Sequence, residues 1–150
     1  MPTQQSTKLQ QLADGVKARI SKEVAREGAD TEMIGGLTKL GNETERMLKF
    51  VAEIICNDCN VNLASEIGGR SAGSGAYAKI IRDQTRSRPS KGDGSLLEKI
   101  IKDLRRPRAQ SALGRLIDLR NNNNHPSTQP ADRPTVINIL QAVGQLLAGG

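Results

Sequence analysis

The sequence predicts an all-α fold, a helical bundle of four to six helices in one domain spanning residues 1–150, and three observations lead there. Apolar residues recur at steps of three and four along most of the chain, the spacing that lines one face of a helix. Aromatics make up only 1% of a chain that is 36% hydrophobic, so the core is built from Leu, Ile, Val and Ala, with Phe50 and Tyr77 as its only rings. A length of 150 residues is that of one domain with one core.

Each element follows in turn. Leu9, Leu12, Val16, Ile20 and Val24 mark a first amphipathic helix ending near Gly28. Its apolar face is narrow, so it needs a partner, and residues 1–30 are expected as a peripheral N-terminal helix. Asn42 with Glu45 reads as a capping box, opening a central helix over 42–62 whose stripe is Met47, Phe50, Val51, Ile54 and Ile55. Asp58 continues that stripe and is expected at the frayed end. GGRSAGSG, residues 68–75, could offer amides to an anion, but no Lys-Ser/Thr pair follows it and no strand precedes it, so a flexible turn is expected. Ala76 to Arg86 forms a short helix, and SRPSKGDG, 87–94, has the composition of a flexible loop. Within 95–149, Ser95 with Glu98 caps the next helix and Pro107 ends or kinks it. Ala109, Ala112, Leu113, Leu116 and Ile117 then carry a helix into RNNNNH, and Val136 to Leu147 closes the fold. No internal repeat is evident.

Charge is unevenly spread. Between Arg82 and Arg120 stand eleven Lys or Arg against five Asp or Glu, while the rest of the chain carries eleven of each, so the whole formal excess of +6 lies in that one segment. Such a face attracts polyanions. With so few rings, recognition by base stacking is not expected; contact with phosphates is. Arg105, Arg106, Arg108 and Arg115 are the candidate RNA-binding residues. The polar start MPTQQSTK and the lack of a long apolar run lead to the expectation of a soluble, cytoplasmic protein with no membrane partner. Cys56 and Cys59 form a CxxC without a second cysteine pair, and His125 is the lone histidine. No metal site and no cofactor are therefore expected, and both cysteines are read as buried or half-buried thiols.

The stretch from Arg120 to His125, RNNNNH, sets a permanent cation beside a side chain that titrates near neutral pH. Arg120 follows Ile117 by three residues and Leu116 by four, so it projects from the apolar face, where an unpaired charge is costly unless a partner or ligand waits. The structural alternative is an ion pair with Asp58 or Glu53. In an unbroken helix His125 is turned about 140° away from Arg120. Convergence therefore needs the helix to unwind inside the asparagine run, or the motifs of two subunits to meet across a two-fold axis.

RNNNNH, preceded by the amphipathic run Ala109 to Leu119 and followed by a polar loop and an apolar closing helix, resembles the R-x4-H motif of the HEPN superfamily. The resemblance covers about the last forty residues. It implies a two-fold dimer and a metal-independent endoribonuclease, of the kind found in toxin–antitoxin and antiviral defence systems, with Arg120, Asn121 and His125 as catalytic residues. RNA would be cleaved to 2′,3′-cyclic phosphate and 5′-hydroxyl ends, and an antitoxin or a larger defence-system partner could accompany it. Asn124 before the histidine and Pro126 after it depart from the family pattern. A non-catalytic helical module binding nucleic acid or a partner protein is the alternative reading.

Overall fold

The computed structural model describes residues 4–25, 30–68, 73–86, 95–123 and 133–148. They form seven helices and, among the described residues, no strand: α1 (Gln4–Val24), α2 (Asp30–Asp58), α3 (Leu63–Ile67), α4 (Ser74–Thr85), α5 (Leu96–Leu104), α6 (Ala112–Asn123) and α7 (Arg133–Ala148). The all-helical expectation holds, with one more helix than foreseen.

α2 packs against α1, α3, α4 and α6. Leu40, Met47, Leu48, Val51 and Ile55 are fully buried along it. Its start differs from expectation. Asn42 and Glu45 do not open a helix, because α2 begins twelve residues earlier and Thr44 Oγ1 donates to the Leu40 carbonyl at 2.8 Å inside the continuous ladder. A polar side chain spaced like a cap also occurs within helices, and here Asn42 serves a different contact. The end of α2 falls at Asp58, which is exposed, and Asn60 then takes a left-handed conformation (φ 56°), which asparagine tolerates better than most residues.

α1 is integral rather than peripheral. Ala13 and Val16 are 0% exposed, Leu9 and Ile20 are buried with them, and the helix is held between α2 and α7. Its stripe is narrow because small residues let it sit close to its neighbours. The unforeseen α3 is one short turn with a local signature: Asn62 Oδ1 accepts from the Ser65 amide at 3.2 Å, and Gly68 closes the helix at φ 66°.

α4 starts at Ser74, two residues before the expected Ala76, and ends at Thr85, while α5 ends at Leu104, ahead of Pro107. Ser95 Oγ accepts from the Glu98 amide at 3.3 Å, the expected cap of α5. α6 begins at Ala112 rather than Ala109, which lies in the turn after Pro107. α7 covers α1 and α6 and buries Val136, Leu140, Val143 and Leu147. The expected flexible loop at 87–94 and residues 69–72 of GGRSAGSG lie outside the described residues.

Candidate functional site

The motif helix is fastened at its start by a neighbour. Asp103, in the last turn of α5 and 5% exposed, accepts from the Ala112 amide at 2.8 Å and from the Leu113 amide at 3.0 Å. Ser111 Oγ donates to the same carboxylate at 2.8 Å and accepts from the Gly114 amide at 2.9 Å. Three of the amides left open at the first turn of any helix are thereby satisfied, and the carboxylate's charge sits at the positive end of the α6 dipole.

Beyond this cap, two arginines lie over helix positions that lack a side chain. Arg108 folds back along α6 and makes a forked pair with Asp118, with Nε 3.1 Å from both carboxylate oxygens and Nη2 2.9 Å from Oδ1. A Cβ at Gly114 would stand 3.2 Å from Arg108 Cδ, so the glycine keeps open the path its stem follows. At the other end of α6, a Cβ at Gly41 would overlap Cδ and Nε of Arg120. Glycine in a helix interior is unfavourable by about 0.5–1 kcal/mol relative to alanine, and here it admits the arginine between α2 and α6.

The Arg120 guanidinium has no carboxylate partner among the described residues. Nη2 donates to Asn42 Oδ1 at 3.4 Å, while Nε is buried with no acceptor. The expected alternative, a pair with Glu53 or Asp58, is overturned by position. These acids lie twelve and seventeen residues beyond Gly41, about 18 and 25 Å along the α2 axis, farther than the side chain extends.

Arg120 shares its end of the bundle with the start of α4. A Cβ at Gly75 would lie 3.9 Å from Ile117 Cγ2, one turn before Arg120, and one at Gly73 would lie 3.6 Å from Glu45 Oε1, one turn after Gly41. Gly73 supplies no side-chain cap to α4, and the buried Ser74 Oγ has no hydrogen-bond partner. The fold thus brings the end of the GGRSAGSG segment and the start of RNNNNH, 46 positions apart from Ser74 to Arg120, to one corner.

The remaining site residues are dispersed along α6 and the turn before it. Asn121 is exposed, and the helix continues through Asn123 instead of unwinding within the first three asparagines. Asn124 and His125 lie outside the described residues. Arg105 and Arg106 are exposed; Arg105 Nη2 donates to the Arg86 carbonyl at 3.4 Å. Arg115 is half-buried, its Nε 3.4 Å from the Ser111 carbonyl. Gly41, Asn42 and Ser74 were not foreseen as neighbours of the motif. A glycine and an asparagine inside a strongly helical run, Leu40-Gly41-Asn42, were the available signal. Cys56 is buried and Cys59 half-buried, its thiol 3.9 Å from the Gln84 carbonyl, as read from the sequence.

Among the described residues, no three His, Cys, Asp or Glu side chains gather as a metal site requires, and no helix is long and apolar enough to cross a membrane. Comparison with family models, with curated proteins and with solved structures gives no match.

Proposed function

We propose that this protein binds RNA by its phosphates and cleaves it as a HEPN-like, metal-independent endoribonuclease, acting as a two-fold dimer. The observation that supports this most is Arg120, whose side chain lies between two helices with no carboxylate partner and no acceptor for its buried Nε among the described residues. A cation so placed is stabilised by an anionic ligand. In the proposed reaction, His125 takes the proton from a ribose 2′-hydroxyl as that oxygen attacks the adjacent phosphorus. Arg120 neutralises charge growing on the phosphoryl oxygens, and the departing 5′-oxygen receives a proton from the partner's histidine or from water. The ends are a 2′,3′-cyclic phosphate and a 5′-hydroxyl. Asn121, exposed at the next position, orients the phosphate or the imidazole through its carboxamide.

The test is incubation of labelled RNA with purified protein in excess chelator. Cyclic-phosphate ends should form, and His125→Ala should slow their appearance by about 10²–10⁴-fold, the usual contribution of a positioned acid or base. Cleavage that is indifferent to His125→Ala eliminates the mechanism.

One observation favours the second reading, a non-catalytic module that binds nucleic acid or a partner protein. The stem of Arg120 fits the groove at Gly41 and its Nη2 reaches Asn42, which also describes a clamp between α2 and α6. Under that reading His125→Ala leaves RNA affinity intact, whereas charge reversal at Arg105, Arg106 and Arg108 weakens it and flattens its salt dependence.

A further inference from the structure

A second cationic feature lies toward the opposite end of α6 from Arg120. Arg82 of α4, Arg106 and Arg108 of the α5–α6 turn, and Ser111 and Gly114 at the start of α6 line a shallow, open hollow of about 10 Å³, with Ala78 and Leu104 as its apolar members. Arg82 and Arg106 are more than 20 positions apart in the chain, and the packing of α4 against α5 and α6 brings them to one hollow.

The hydrogen-bonding state of the three guanidiniums gives the hollow its meaning. Neither the Arg82 nor the Arg106 side chain has an ion-pair or hydrogen-bond partner among the described residues. Arg108 spends Nε–H and one Nη2–H on Asp118, leaving three N–H donors. Asp103, the other carboxylate nearby, is occupied by Ser111 and two amides of α6. Three arginines therefore line one small space, and among the described residues only Arg108 is paired with a carboxylate. Each carries a planar fork that matches the oxygens of a tetrahedral anion.

We propose that this hollow is a seat for one phosphate group, held by Arg82, Arg106 and Arg108 and distinct from the corner at Arg120. The Asp118 fork fixes the Arg108 plane before any ligand arrives, and Arg82 and Arg106 close on the anion from the facing helix and from the turn. The seat deepens the nucleic-acid reading only as to where the phosphate comes from.

Inorganic phosphate at constant ionic strength, balanced with sodium chloride, is the direct probe, followed through the Gly114 amide and arginine Nε–H resonances in ¹H–¹⁵N spectra. Saturable shifts are expected, with affinity at least tenfold weaker in Arg82→Gln and in Arg106→Gln. The control Lys22→Gln, the same charge change on an exposed position of α1, should lie within twofold of the parent. Shifts no larger than chloride gives, or equal affinities in all three variants, overturn the seat. Arg82→Lys keeps the charge and loses the fork, so a loss there as well identifies shape rather than charge alone.

A short RNA in 5′-phosphorylated and 5′-hydroxyl forms then distinguishes the sources. A preference for the phosphorylated strand that Arg106→Gln abolishes assigns a strand end, and a salt slope reduced by about one without such a preference assigns an internal phosphate. RNA affinity and salt slope unchanged by Arg106→Gln assign free phosphate. The two proposals fail separately: phosphate binding without His125-dependent cleavage leaves the seat standing, and cleavage without phosphate binding removes the seat alone.

Discussion

Replacing Gly41 by alanine should reverse its effect on stability according to whether Arg120 is present. In an Arg120→Ala background the slot between α2 and α6 is vacant of that stem, and a methyl group in the interior of α2 gains the ordinary helix preference of alanine over glycine, about 0.5–1 kcal/mol. With Arg120 in place, the new Cβ overlaps its Cδ and Nε, and the side chain must swing out of the groove. Nε has no acceptor to lose, and the bond to Asn42 is long at 3.4 Å, so the penalty is chiefly the exposure of the buried stem. At about 0.8 kcal/mol per methylene, two methylenes make roughly 1.5 kcal/mol, enough to turn the gain into a small loss. Urea unfolding of the parent, both single variants and the double variant gives the coupling directly, which is expected near 1.5 kcal/mol with unchanged m values. An identical effect of Gly41→Ala in both backgrounds, within about 0.3 kcal/mol, would refute the idea that the glycine exists to admit the arginine.

Asp103→Ala should destabilise the fold by about 2–4 kcal/mol, since it strips two helix amides and a serine hydroxyl of a buried charged acceptor; a loss under 0.5 kcal/mol in chemical denaturation contradicts that role. Ile20→Ala should cost about 2–5 kcal/mol if α1 is part of the core, whereas a peripheral helix would show little change in the unfolding midpoint. Burial pushes the Cys56 thiol above its usual range, with the Glu66 carboxylate adding to the effect, so less of it is thiolate at neutral pH. Cys59 should therefore react first with a thiol reagent, and Cys56 only as the protein unfolds; equal native-state rates, read by mass spectrometry, would contradict the packing.

Much of the helical architecture was legible because buried aliphatic residues repeat at helical spacing, as in Leu113, Leu116 and Ile117 of α6 and Met47, Val51 and Ile55 of α2. Local chemistry misled where the residue types are ambiguous. Asn42 and Glu45 have the spacing of a cap, but a cap is defined by where the backbone bonds begin, and nothing in four residues reveals that the helix started at Asp30. The N-terminal stripe looked peripheral because a small residue such as Ala13 carries little hydrophobicity, although small residues are what permit close helix contact. At the candidate site, Arg120 could be placed on the apolar face by counting turns. Its neighbours Gly41, Asn42 and Ser74 are set by tertiary packing across dozens of residues, as is the approach of Arg82 to Arg106.

The cap on α6 has a consequence for how ligands meet this surface. Asp103 and Ser111 tie the two ends of the α5–α6 connection together, and the Gln110 and Ser111 amides both bond the Pro107 carbonyl, at 2.8 and 3.0 Å. Arg105, Arg106 and Arg108 are thus mounted on a backbone already immobilised by its own bonds. Ordering a single residue costs about 1–2 kcal/mol, so a strand that docks here forgoes that penalty for most of the connection, and its association should show little of the heat-capacity change of coupled folding. The acid that neutralises the first turn of one helix in this way also turns a loop of cations into a preformed template.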